Sequence, residues 1–131
     1  MAKVLVIEDN DNLRLVFEMF LVQANHEVIP AENGPKGLEI LKSDPLPDII
    51  LLDLILPGGM DGRSVTEILS ADERLSKIPV VIVSGLVSTK ILHDITYDAY
   101  ISKPFNIDDV LFVIEKLTSP DWKRGDKIHF D

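Results

Sequence analysis

Residues 3–11 read KVLVIEDND, an apolar run that ends in crowded carboxylates. Lys3 to Ile7 is short and carries no charge after its first residue, which suits a strand buried on both faces. Glu8, Asp9 and Asp11 follow at once. Like charges this close repel and raise one another's pKa unless a cation lies among them. The apolar pattern recurs in DIILLDL (48–54), IPVVIVSG (78–85) and the weaker DAYIS (98–102). HEVIPA (26–31) is a further short strand, placed at a sheet edge because Pro30 has no N–H to give to a ladder.

Amphipathic segments separate these runs. Leu13, Val16, Phe17, Phe20, Leu21 and Ala24 lie on one helical face, with Asn10 or Asp11 as its cap. NGPKGLEILKS (33–43), RSVTEILSADE (63–73) and VSTKILHDI (87–95) read as helices, the first weakened by Gly37, and PGGMDG (57–62) reads as a loop. In NIDDVLFVIEKL (106–117), Ile107, Val110, Leu111, Ile114 and Leu117 share a face and Asn106 caps it. Five β-α units of this kind predict an α/β fold, a doubly wound parallel sheet with helices on both faces. The last residues, TSPDWKRGDKIHFD (118–131), lose the pattern. The domain is therefore expected over 1–118, with 119–131 a C-terminal tail or linker in which Trp122 packs back on the domain.

Composition narrows the function. At 131 residues and 46% hydrophobic, the chain can build one core. It has no cysteine, so disulfides, thiolate metal sites and cysteine catalysis are excluded. No apolar run reaches the roughly 18 residues of a membrane helix, and the start lacks a signal-peptide pattern, so a cytoplasmic protein is expected. The net charge of −9 argues against nucleic-acid binding by this domain, since phosphates need a basic face. His26, His93 and His129 are scattered and match no metal spacing.

In an open parallel sheet, functional groups gather beyond the carboxyl ends of the strands, where strand order reverses. With the common order 2-1-3-4-5, strands 1 and 3 are neighbours. Glu8, Asp9 and Asp53 then converge, and Ser84 and Lys103 end strands on the same edge. Clustered carboxylates at an open edge suit a hard cation, Mg2+ or Mn2+. Glu8-Asp9, Asp53 with Pro57 and MDG, Ser84-Gly85, Tyr100 and Lys103-Pro104-Phe105 all occur in order. In this the chain, from Lys3 to about Leu117, resembles the response-regulator receiver domains of two-component signalling, which have the flavodoxin-like, CheY-like (βα)5 fold.

The resemblance implies roles. Asp53 would accept a phosphoryl group from a histidine kinase or phosphotransfer protein. Glu8, Asp9, Asp53 and the Ile55 carbonyl would hold the metal. Lys103 and Ser84 would stabilise the phosphoryl group, and Ser84 and Tyr100 would form the switch towards a downstream protein target that the sequence does not name. Lys103-Pro104 would be cis. Ile55 and Leu86 would flank the path of the water that removes the phosphoryl group; both are bulky and apolar, which implies slow loss. Such a chain is a signalling switch rather than an enzyme, catalysing only its own phosphoryl transfer and slow dephosphorylation. Glu8 stands where Asp is commoner, Gly58-Gly59 adds a residue to its loop, and the stretch from Ser84 to Tyr100 is shorter than the family norm by about one helical turn, which implies a short fourth helix.

Other readings compete. A degenerate receiver would bind partners without phosphorylation, but all five key positions are filled. A phosphatase with an Asp nucleophile would carry D-x-D after strand 1, whereas Asp53 follows strand 3. A flavin binder would need a Ser/Thr-rich loop where Glu8 and Asp9 stand.

Overall fold

The computed structural model describes residues 1–56, 59–85, 87–125 and 127–130. The elements run β1 (Lys3–Ile7), α1 (Asp11–Gln23), β2 (Glu27–Ala31), α2 (Gly34–Ile40), β3 (Ile49–Leu52), α3 (Gly62–Ala71), a 3-10 turn (Leu75–Lys77), β4 (Val80–Ser84), α4 (Thr89–Asp94), β5 (Ala99–Ser102), α5 (Ile107–Leu117) and β6 (Ile128–Phe130). The strands pair in parallel in the order β2-β1-β3-β4-β5-β6. The expected order holds and Pro30 lies on an edge strand. The sixth strand is an addition to the five expected. A strand of three residues beside lysines and an aspartate carries too little periodicity to be seen.

Alternation along each strand divides the core. Leu5, Ile7, Ile50, Leu52 and Ile82 face one side and meet Leu41, Val65 and Leu69 from the segments around α2 and α3. Val4, Val6, Ile49, Leu51, Val81 and Val83 face the other and meet Phe17 and Leu21 of α1 and Val110, Val113 and Ile114 of α5. This is why the strand sequences are continuously apolar: both faces are covered.

Short polar side chains start each of the described α-helices. Asn10 accepts from the Leu13 N–H, Asn33 from Lys36, Asp61 from Ser64, Ser88 from Ile91 and Asn106 from Asp108, which satisfies N–H groups that a helix leaves unpaired. Asn10, not Asp11 or Asp9, caps α1, so Asp9 is not consumed by capping. The fourth helix is short, as the departure from the family implied: α4 has six residues and none of them is buried. Lys103-Pro104 is cis, and so is Asp44-Pro45.

Gly62 couples the fold to the loop after β3. A Cβ there would lie 2.5 Å from Leu54 Cα and closer still to the Asp53 carbonyl, both backbone atoms that cannot step aside. The Gly62 N–H also donates to the Leu54 carbonyl at 2.9 Å. The glycine of the MDG motif is thus what lets α3 begin against the backbone of Asp53. Gly62→Ala should cost about 1–3 kcal/mol by overpacking, measured by urea unfolding. Gly85→Ala, where a Cβ meets nothing within 4 Å, should cost far less. Equal costs would contradict the close-approach argument.

Candidate functional site

Three strands end at one place because the ladder continues one residue beyond each of them. The Glu8 N–H donates to the Ala31 carbonyl at 3.0 Å, Asp53 N–H to Ile7 at 3.1 Å, and Lys103 N–H to Ser84 at 2.7 Å. Each bond fixes the backbone of a polar residue just outside the apolar sheet. β1 and β3 are neighbours, so Glu8 and Asp53 converge, and one oxygen from each of Glu8, Asp9 and Asp53 lies within 4.8 Å of the others. Glu8 and Asp53 are buried whereas Asp9 is exposed, so the cluster opens to solvent on one side.

Lys103 joins the acids. Its Nζ donates to Glu8 Oε1 at 2.6 Å and to Asp53 Oδ2 at 2.7 Å. The other Asp53 oxygen, Oδ1, accepts from Ser84 Oγ at 2.8 Å and from the Ile55 N–H at 3.0 Å. Glu8 Oε2 accepts from the Asn10 N–H at 3.1 Å. Buried carboxylates are tolerable only when paired in this way. One lysine against three carboxylates still leaves excess negative charge, and the oxygen donor set is what a hard divalent cation prefers. The residues therefore fit such an ion.

Ser84 and Tyr100, the residues expected to form the switch, are linked to the same site. Ser84 is fully buried, and the Tyr100 hydroxyl donates to the Gly85 carbonyl at 2.9 Å with its ring inside the domain. Ile55, expected to flank the water path, is 72% exposed beside Asp53. Leu86, its expected counterpart, and Pro57 and Gly58 lie outside the described residues.

Two further contacts support the site, one of them from a residue, Arg14, that the sequence does not single out. Arg14 Nη1 donates to the Glu8 carbonyl at 2.8 Å and to the Asp9 carbonyl at 3.3 Å, while Nη2 pairs with Asp11 at 2.5 Å. The guanidinium fork thus shapes the acidic loop. The available signal was its spacing of three from Asp11 at a helix start. Phe105 stacks on Phe17 at 5.1 Å, pinning the loop that carries Lys103 onto α1.

The electrostatics follow from burial and pairing. Burial lifts the Glu8 pKa above its ordinary 4.5, and the charge of Asp53 adds to the rise; the Lys103 and Asn10 hydrogen bonds offset this only in part. For Lys103, burial opposes the charge, but hydrogen bonds to Asp53 and Glu8 outweigh it and raise the pKa above 10.5. Lysine is thus held protonated at neutral pH. Folded Glu8 keeps a proton that the unfolded chain has released, so its contribution to stability falls as pH rises from 4.5 through the folded value. In metal-free protein, Glu8→Gln should remove this falling component, and the wild-type and variant stability curves should diverge as pH rises from 4.5 through the folded value. Parallel curves from urea unfolding would contradict the assignment.

Comparison with known proteins gives this arrangement its family. Residues 4–115 match the response regulator receiver domain family. The chain is 34% identical over 131 residues to the DNA-binding dual master transcriptional regulator RpaA of Synechocystis, covering 98% of this chain and 52% of RpaA. It is 33% identical over 84 residues to the protein PilH of Pseudomonas aeruginosa, covering 64% of this chain and 68% of PilH. The chain thus spans about half the length of RpaA. The fold is that of the Vibrio cholerae chemotaxis protein CheY4, with a TM-score of 0.81 at 22% identity, covering 89% of this chain and 98% of that one. It is equally that of the receiver domain of the Pseudomonas aeruginosa sensor histidine kinase PA1611, solved with magnesium in its active-site cleft, with a TM-score of 0.81 at 22% identity over 89% and 97% of the two chains. The chain belongs to the response-regulator receiver domain family.

Proposed function

We infer that this chain is a phosphoacceptor receiver in which Asp53 takes a phosphoryl group from the phosphohistidine of a histidine kinase or phosphotransfer protein. The observation that carries the reading is the Lys103 ammonium bonded to both Glu8 and Asp53, with Ser84 on the remaining Asp53 oxygen. Receiver domains of this family are signalling switches that work with such partners, and they bind Mg2+ in an acidic pocket. Among the described residues no helix is long and apolar enough to cross a membrane.

In the transfer, an Asp53 carboxylate oxygen forms a bond to phosphorus as the phosphorus–nitrogen bond of the donor breaks. The electron pair of that bond stays with the imidazole, which takes up a proton. Phosphoryl transfer depends mainly on positioning and on neutralising charge spread over the phosphoryl oxygens. Glu8, Asp9, Asp53 and the Ile55 carbonyl would hold the divalent cation, which supplies charge neutralisation at the phosphoryl oxygens. Lys103 stays protonated and turns from the Asp53 carboxylate to the phosphoryl group. Ser84, already within hydrogen-bond reach of Asp53, donates to it as well. Ile55 offers a bulky apolar side chain and no polar atom beyond its backbone, so it cannot orient an attacking water. The acyl phosphate is therefore long-lived for the family, and the output is sustained.

Incubation with phosphoramidate and Mg2+ should add one phosphoryl group, read by intact-protein mass. Asp53→Asn should abolish it, and EDTA should prevent it. After donor removal, Ile55→Asn should lose the group several-fold faster than wild type. Labelling that persists in Asp53→Asn, or that needs no divalent metal, would overturn the site assignment. Equal decay would overturn the role of Ile55.

A further inference from the structure

The C-terminal segment is bound to the domain by groups along its length. Near its start, Trp122 is half-buried against the α5 side of the core. Arg124 then reaches a buried carboxylate at the amino end of β5: its Nε donates to Asp98 Oδ1 at 3.0 Å and its Nη2 to Oδ2 at 3.2 Å. The same guanidinium donates to the Ile78 carbonyl at 3.2 Å and to the Ser76 carbonyl. Asp98 Oδ2 also accepts from the Val80 N–H at 2.8 Å, so the clamp grips the β4-β5 pair itself. Lys127 Nζ lies 4.4 Å from the centre of the Tyr97 ring, within reach of its π face. β6 then pairs with β5, setting Ala99 beside Ile128, Tyr100 beside His129 and Ile101 beside Phe130.

Register decides which face each of these side chains takes. Ile128 and Phe130 join the core on the α1 and α5 side, and Phe130 meets Phe112 edge-on at 6.2 Å. His129 stands on the other face with Tyr100. Its Nε2 is 2.7 Å from the Tyr97 hydroxyl, and its ring meets that of Tyr100 edge-on at 6.5 Å. Tyr100 in turn bonds the Gly85 carbonyl, and the adjoining Ser84 bonds Asp53. A continuous set of contacts therefore runs from the C-terminal strand to the phosphoacceptor.

We propose that His129 is a positioning residue for the Asp53 site, acting through Tyr100, and that the segment 121–130 is part of the switch rather than a passive tail. It rests on the phosphoacceptor reading only for the identity of the ligand at Asp53. His129, fixed by Tyr97, backs the inward ring of Tyr100, whose hydroxyl holds the Gly85 carbonyl, and so keeps the adjoining Ser84 turned towards Asp53. A tetrahedral anion at Asp53 draws Ser84 by a charge-assisted hydrogen bond. The same chain then tightens from the other end, and because coupling is reciprocal, filling the site must strengthen docking of β6.

Four forms separate positioning from mere anchoring: wild type, His129→Ala, His129→Gln and Phe130→Ala. His129→Gln keeps a partner for the Tyr97 hydroxyl and loses the ring. Phe130→Ala removes the contact with Phe112 on the face away from Tyr100 and keeps the β5-β6 pairing and His129. The first readout is amide exchange without ligand. His129→Ala should speed exchange of the Lys103 amide, which donates to Ser84, by at least several-fold, and leave Val81 at the far end of β4 unchanged. The second is beryllofluoride affinity at saturating Mg2+. His129→Ala should weaken it about five-fold, His129→Gln should fall between that variant and wild type, and Phe130→Ala should stay near wild type. In wild type, beryllofluoride should slow exchange at residues 128–130. If Phe130→Ala weakens binding as much as His129→Ala, or if no variant alters either readout, the positioning role is wrong. A wild type that binds no beryllofluoride would overturn the phosphoacceptor reading, and the coupling would then be judged by the ligand-free exchange.

Discussion

One ammonium group held among carboxylates organises this protein. Lys103 is anchored by two short charge-assisted bonds, to Glu8 and to Asp53. Neither acid could be buried without it, and the lysine could not stay charged in its pocket without them. The three residues are separated widely in sequence and are brought together only because β1, β3 and β5 end at one edge. A slip of one residue in any pairing would turn each polar group to the other face or pull it from the cluster. The rest of the fold can be read as the means of preventing that slip. Both faces of the strands are apolar and covered, Arg14 holds the carbonyls of the acidic loop, Gly62 lets α3 close on the Asp53 backbone, and Phe17 pins Phe105.

The same arrangement leaves the site incomplete in charge and open on one side. Asp9 faces solvent while Glu8 and Asp53 are buried. Local negative charge is therefore presented at an accessible edge, yet its geometry is set from within. Asp53 is also where two networks meet. One oxygen belongs to the lysine and the acids, and the other belongs to Ser84, whose neighbour Gly85 receives the Tyr100 hydroxyl. Under the proposed coupling, a change of charge at Asp53 would act on both and, through Tyr100, would reach β5 and the strand beside it.

Much of this was legible in the sequence, for physical reasons. Parallel strands covered on both faces must be apolar throughout, and helices on such a sheet must be amphipathic, so element type followed from periodicity, while strand order followed from the arrangement common to parallel sheets of five β-α units. Glu8, Asp53, Ser84 and Lys103 stand at the ends of those runs, and the polar end of a buried strand can only lie at the sheet edge. The shortened fourth helix followed from a missing turn. What was hidden depends on pairing across the chain. β6 has three residues and little alternation, Arg124 and Asp98 find each other only once α5 has crossed the sheet, and His129 looks like an isolated surface histidine until its register with Tyr100 is known. Arg14 carries no conspicuous local signal, and Gly62 is visible only as part of MDG, because what matters is the backbone each one touches.

The central claim is that Glu8, Asp9 and Asp53 form one cation-binding phosphoacceptor centre governed by Lys103. A Mg2+ titration of the isotopically labelled protein followed by amide and side-chain NMR tests it most directly. The account predicts saturable changes concentrated at Glu8, Asp9, Asp53, Ile55 and the Lys103 ammonium, weakened strongly in Asp9→Asn with the fold intact. Changes spread evenly over the acidic surface, or a response in Asp9→Asn equal to wild type, would contradict it.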